Sequence, residues 1–199
     1  MLSGFSSCSS AFICIYAGSD DAVSKKIPAA LTCKTDFSDG WRLQMEYGTA
    51  IRKADVNDLS RIAEIQVFNY RLYFYPIFKS NEYFFNELRV PSLMQEYESG
   101  LDSLYVYDDG VVKGFIKIEG TYIARLFVEP VLQNASVGSR LLEYAVKEHN
   151  ADHLWVLEKN AKAIRFYKRH GFAANGEKKL EDGTSEYLVL LKRNAGTVL

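Results

Sequence analysis

Two short stretches hold the residues whose types and spacing can do chemistry. In the first, the apolar run Leu126-Phe127-Val128 leads through Glu129-Pro130-Val131-Leu132 into Gln133-Asn134-Ala135-Ser136-Val137-Gly138. A helical pattern with Leu141, Leu142 and Ala145 follows. A strand that ends, a loop of small residues and a helix that begins put free N–H groups at a positive dipole end. That arrangement suits phosphate oxygens, and small side chains let the backbone approach such an anion closely. A plain strand-to-helix turn has the same outline, so the loop alone leaves both readings open. The second stretch runs from Leu154 to Phe172. Asn160 suits a helix N-cap and Gly171 a C-terminal stop. At helical spacing Asn160, Ala163 and Tyr167 share one face, while Lys162, Arg165 and Arg169 share the other. An amide, a small gap and a phenol in line can follow an elongated ligand. The simpler alternatives are a cap, a half-buried core aromatic and a solvated basic face.

Positioning these residues takes a strand before each loop and a helix after it, and the chain supplies both. Ile51–Ala54 reads as a short strand, and Asp55-Val56-Asn57-Asp58 caps a helix carrying Leu59, Ile62, Ile65 and Leu72. Pro76 is expected to interrupt that helix. A second helical segment, Asn81–Arg89, precedes Pro91, which suits the first turn of a further short helix ending at Gly100. Leu104–Tyr107 and Val111–Ile118 flank Asp108-Asp109-Gly110 as a hairpin, and Glu119-Gly120 turns the chain into Tyr122–Val128. His153–Leu157 is a strand, Asn160–His170 a helix, and two last strands flank Glu181-Asp182-Gly183. The order predicts a mixed α/β layer fold around one sheet.

A chain of 199 residues fits one domain with a short appendage. Lys plus Arg number 24 against 25 Asp plus Glu, so net charge gives no pull towards nucleic acid or an anionic membrane. It also argues against an acidic substrate. Cys8, Cys14 and Cys33 all fall in the first 33 residues without zinc-ligand spacing, which points to a reducing, cytoplasmic compartment. His149, His153 and His170 form no ligand pattern, so no metal site is expected. Residues 1–44, rich in Ser, Ala and Cys, read as a weakly structured N-terminal extension, and 45–199 as the working domain. Met45 also suits a natural start. The apolar stretch Ala11–Ala17 is short of the ~20 residues a bilayer span needs, and it lacks the basic start of a secretory signal.

Taken together, the loop Gln133–Gly138 and the stretch Asn160, Ala163, Phe166-Tyr167, Gly171-Phe172 resemble the GNAT superfamily of N-acetyltransferases. The first resembles the family's acetyl-CoA motif, Gln/Arg-x-x-Gly-x-Gly/Ala, and the order of elements from Ile51 to Arg193 agrees. The resemblance implies a mainly antiparallel, twisted sheet of about six to seven strands flanked by about four helices, with a splayed central strand pair that takes acetyl-CoA. Gly138 is present, but Asn134 and Ser136 stand where glycine is common in the family. Asn tolerates left-handed backbone, and Ser is small and can donate a hydrogen bond.

The resemblance also implies roles. Backbone groups of Leu126, Phe127 and Val128 pair with pantetheine, and the Val128 N–H faces the developing oxyanion. Gln133, Asn134, Ala135, Ser136, Val137 and Gly138 hold the pyrophosphate, while Asn160, Ala163 and Tyr167 line the pantetheine arm. Tyr167 is the expected general acid, since a phenol with a pKa near 10 stays protonated at neutral pH. Glu158 is the carboxylate candidate for the base, ahead of Glu119; a water chain or an amine arriving neutral also serves. Specificity falls to the segment Phe68–Tyr97, with Tyr70, Tyr73 and Tyr75 as substrate contacts. Half of these rings also suit plain core packing. The expected reaction is acetylation of a primary amine, on a small molecule first and on a protein or peptide second. A non-catalytic acyl-CoA-binding module is the reading from another class. A homodimer is compatible with the family but demanded by no residue.

Overall fold

A computed structural model of the chain describes residues 50–193. The cysteines and the expected extension over 1–44 lie outside the described residues.

Strand β1 (Ile51–Lys53) leads to Asp55, whose carboxylate accepts from the Asn57 N–H while Asp58 accepts from the Asp55 N–H. This reciprocal box satisfies donors that the helix start leaves open. Helix α1 (Leu59–Asn69) follows, with Leu59, Ile62, Ala63 and Ile65 buried on its inner face. The sequence led us to expect a break at Pro76. Instead the helix widens into a π-helical turn over Tyr70–Phe74 and carries on as α2 (Tyr75–Phe78) before ending at Lys79 in the left-handed region. The wider turn changes which residues face inwards: Leu72, expected in the core, is half exposed, while Tyr70 and Phe74 are buried. Such bulges recur at functional sites. A second π-helical segment (Glu82–Glu87) precedes α3 (Val90–Glu98), which carries Pro91 in its first turn.

The remaining elements are β2 (Leu104–Asp108), β3 (Val112–Glu119), β4 (Tyr122–Val128), α4 (Val137–His149), β5 (His153–Leu157), α5 (Ala161–Arg169), β6 (Phe172–Leu180) and β7 (Tyr187–Arg193). They build a seven-stranded sheet in the order β1-β2-β3-β4-β5-β7-β6. Every pairing is antiparallel except β4 with β5. The mixed, mainly antiparallel α/β fold expected from the sequence is therefore present. Helices α1 and α3 cover one face, where Tyr70 and Tyr97 meet Phe127 and Phe115. Helix α4 covers the other, where Leu141 lies against Gly114. A Cβ at Gly114 would stand 2.8 Å from the Phe127 carbonyl oxygen, so only glycine lets β3 lie this close to β4 there.

Candidate active site

The parallel pair β4–β5 is in register at Tyr122 with His153 only, and beyond that point the two strands part. The cleft therefore opens towards the C-terminal ends of both strands, where the chemistry-bearing loops begin. Its β4 wall can be read from the hydrogen bonds. The Glu129 N–H donates to the Lys113 carbonyl at 2.8 Å, so Glu129 faces β3. Backbone groups alternate sides along a strand pair, so Val128 and Leu126 turn their N–H and C=O groups away from β3, towards the cleft.

The Val128 carbonyl is held on that side by Asn69 Nδ2 at 3.0 Å, with Gln133 Nε2 at 3.5 Å. Asn69 is a buried amide at the end of α1, and its Nδ2 also donates to the Ile65 carbonyl at 2.7 Å. Gln133 thus folds back onto Asn69 and Tyr73, whose hydroxyl stands 3.4 Å from its Oε1. Sequence reasoning missed Asn69. Its partner lies 59 residues away, and no local pattern marks it.

The loop after β4 ends at Ser136, which caps α4 without a side-chain hydrogen bond. The first-turn N–H groups of α4 accordingly have no side-chain acceptor from their own cap, the state in which a helix start receives an anion. Asn134 and Ser136 adopt φ of 69° and 60°, the left-handed conformation for which glycine is the easy residue. The backbone thus takes a glycine-like path through residues that are not glycine. Ser139, in the first turn of α4, is tied to His170 at the end of α5. His170 Nδ1 faces the Phe166 carbonyl at 2.8 Å, so in the neutral ring Nδ1 carries the proton and Nε2, 3.1 Å from Ser139 Oγ, accepts from that hydroxyl.

On the β5 side, Asn160 caps α5 by accepting from the Ala163 N–H at 3.0 Å. Ala163 and Tyr167 are both buried on the inner face of α5, and the Tyr167 ring packs edge-on against Phe166 and Phe172. Glu158 is placed differently from what a base needs. It is 45% exposed and paired with Lys178 of β6. Among the expected substrate contacts, Tyr70 is a core ring packed on Phe74, Phe84 and Phe127. Burial pushes its hydroxyl well above the ordinary range, with Arg125 opposing the rise. Tyr75 bonds Asn81 at 2.7 Å and packs on Phe84 and Phe85. Tyr73 touches the loop, through Gln133.

The acetyltransferase (GNAT) domain profile matches residues 100–174, from the end of α3 through β6's start. Residues 100–174 thus match a GNAT acetyltransferase domain, and the chain resembles acetyltransferases of that family in sequence and in fold. Among its relatives, the peptidyl-lysine N-acetyltransferase YiaC of Escherichia coli (strain K12) is 29% identical over 123 residues. That alignment takes in 61% of this chain and 82% of YiaC. The solution structure of apo-form YjaB from Escherichia coli superposes with a TM-score of 0.53 at 22% identity, over 71% of this chain and 95% of YjaB. The PaiA N-acetyltransferase from Thermoplasma acidophilum, solved in complex with coenzyme A, superposes with a TM-score of 0.52 at 23% identity, over 71% and 97%. The GNAT family uses acetyl-CoA, and the donor set here suits it. The Leu126 backbone groups and the Val128 N–H, turned away from β3, suit an amide-bearing arm, and the helix start at Val137 and Gly138 suits a diphosphate.

Proposed function

We propose that this protein transfers an acetyl group from acetyl-CoA to the primary amine of a small molecule, by direct attack while both are bound. One observation carries the reading: the Val128 N–H faces the gap left where β4 and β5 part, one loop away from the uncapped start of α4. In this reading the backbone groups of Leu126 and Val128 align the pantetheine arm, whereas those of Phe127, expected to join them, face β3. Gln133 to Gly138 enclose the diphosphate, and Asn160 and Ala163 border the arm from α5. The amine nitrogen bonds to the thioester carbon, and the Val128 N–H donates to the oxygen as it gains charge. Fixed donors of this kind lower a barrier by about 2.7–4 kcal/mol. The C–S bond then breaks, and Tyr167 gives its hydroxyl proton to the departing sulfur. The proton lost by the amine goes to water or to a carboxylate. For Glu158 to take it, the Lys178 ion pair must first open.

Calorimetric titration with acetyl-CoA tests the binding half. Micromolar affinity, largely kept by adenosine diphosphate, supports the loop, and no binding at millimolar cofactor removes the reading. Tyr167→Phe tests the chemistry. We expect kcat to fall about a hundredfold with acetyl-CoA affinity kept; unchanged turnover removes Tyr167 as the acid. Turnover absent from the native protein, despite tight binding, favours a non-catalytic module. A second reading, acetylation of lysine side chains in peptides, is favoured by the name of YiaC. Lysine peptides and small amines assayed side by side separate the two.

A further inference from the structure

Beneath the aromatic wall, β4 carries a polar cluster that neither the loop nor α5 uses. The β3–β4 register pairs Lys117 with Arg125 and then Ile118 with Ile123, so Ala124 is an extra residue on β4. Strict alternation would send Tyr122 and Arg125 to opposite faces. The bulge brings them to the same face. That face is the one covered by α1 and α3, and Arg125 lies among Tyr70, Glu96, Tyr97 and Tyr122. Its side chain is only 11% exposed.

The hydrogen bonds of Arg125 are uneven. Nη1 donates to the Ala124 carbonyl at 3.0 Å. Nη2 has Glu96 at 3.9 Å, too far for a hydrogen bond, and the Glu96 side chain is half exposed. The Tyr97 hydroxyl, which donates to Gln66, lies beside the guanidinium. Nε is buried with no hydrogen-bond partner among the described residues, and so is the hydroxyl of Tyr122. The Nε–H and the adjoining Nη2–H form the lateral edge of a guanidinium, two parallel donors that match the two oxygens of one carboxylate. Nε lacks an acceptor, while the Tyr97 hydroxyl stands within hydrogen-bonding reach of the guanidinium. A buried donor left as Nε is left costs enough to need an explanation.

Tyr122 sits where β5 parts from β4, so the cluster stands on the strand that walls the cleft, beginning at the cleft's closed end. Arg125 is three residues before Val128, roughly 10 Å along an extended strand. The negative groups nearby do not fill the edge: Glu96 is the one at 3.9 Å, Glu119 is paired with Lys117 at 2.8 Å, and Glu181 bears on Tyr122 from the β6–β7 turn. We propose that Arg125, with the Tyr122 hydroxyl beside it, binds a carboxylate of the acetyl acceptor, which is then a small amine that also carries an acid. This rests on the acetyl-transfer reading above. It also reverses the expectation drawn from net charge, because a single buried guanidinium leaves no mark on a balance of 24 against 25.

The test uses the full chain with saturating acetyl-CoA. L-amino acids and ω-aminoalkanoates are each assayed against their own carboxamides. At least one acid is expected to exceed its amide by about tenfold or more in kcat/KM. Arg125→Met collapses that ratio to about one, the loss lying in KM, and Arg125→Lys restores part of it because a point charge lacks the fork. Equal use of acids and amides by the native protein overturns the proposal. So does an equal loss on both in a folded Arg125→Met protein, or a preference for lysine peptides that this variant keeps. Should Arg125→Met fail to fold, Tyr122→Phe must raise KM for the acid severalfold and not for the amide. If no amine is acetylated at all, the same acids are titrated calorimetrically into protein saturated with CoA. Binding lost in Arg125→Met then keeps the carboxylate site while the transfer reading falls; no binding of any acid removes the site.

Discussion

Ser136 sets residue against backbone at the start of α4. Its φ of 60° and ψ of 4° put Cβ in the crowded left-handed region at the very start of α4. For an ordinary L-residue that conformation costs roughly 1–2 kcal/mol. Glycine would escape the strain but lose more freedom on folding, roughly 0.5–1 kcal/mol. We therefore expect Ser136→Gly to stabilise the protein by about 0.5 kcal/mol, a rise of about 1–2 °C in thermal midpoint. Acetyl-CoA affinity should rise alongside, as the backbone can then approach the diphosphate more closely. A lower midpoint in the variant would show that the serine hydroxyl contributes more than the strain costs. Asn134, with φ of 69°, offers a smaller gain, since asparagine tolerates this region. Both positions were legible in the sequence, because a small-residue loop between a strand and a helix implies a fixed backbone path. Asn69 was not. Its amide matters only because α1 lies against the end of β4, a contact that tertiary packing creates.

At the scale of elements, the first strand and first helix are joined by one charged knot. Arg52 on β1 donates to both oxygens of Asp58 at 2.7 and 2.8 Å, and to Asp108 at the end of β2 at 2.7 and 3.0 Å. Asp58 is buried, and the Arg52 guanidinium holds its carboxyl below the usual range, against the effect of burial. A carboxyl whose folded pKa is depressed contributes stability above its unfolded value, near 3.9, and loses it as pH falls through the folded value. Asp58→Asn should therefore lower stability by about 1–2 kcal/mol at neutral pH, as a lost cap and ion pair. Chemical unfolding of both proteins should show that gap constant down to about pH 5 and narrowing below about pH 4. A gap that widens in acid would contradict the assignment. The capping role of Asp55–Asp58 could be read from residue types alone. The π-helical turn at Tyr70–Phe74 could not, since Pro76 reads locally as a breaker and only packing against Phe84 and Phe127 favours continuing the helix.

For the molecule as a whole, the order of strands and helices followed from periodicity and turn residues, because each element buries one face against a common sheet. The parting of β4 and β5 did not follow, because a pairing that stops is a property of two strands and the helices that hold them apart. Among the described residues no helix is long and apolar enough to cross a membrane. A single buried core runs from Ala54 to Leu191 and includes side chains from every strand except β1. β1 stands at one edge of the sheet with β2 as its partner, and Asp108 bonds back to the Ala50 carbonyl at the strand's start. Residues 50–193 thus contain the sheet, both helical layers and every group assigned to acetyl transfer. A protein beginning at Met45 is accordingly expected to keep its thermal midpoint to within about 1 °C, less than the shift that 1 kcal/mol produces in a chain of this size. Its acetyl-CoA affinity should stay within about twofold, well under 1 kcal/mol. A midpoint lower by several degrees would mean that residues 1–44 pack on this core, and a selective loss of affinity would place them at the cleft.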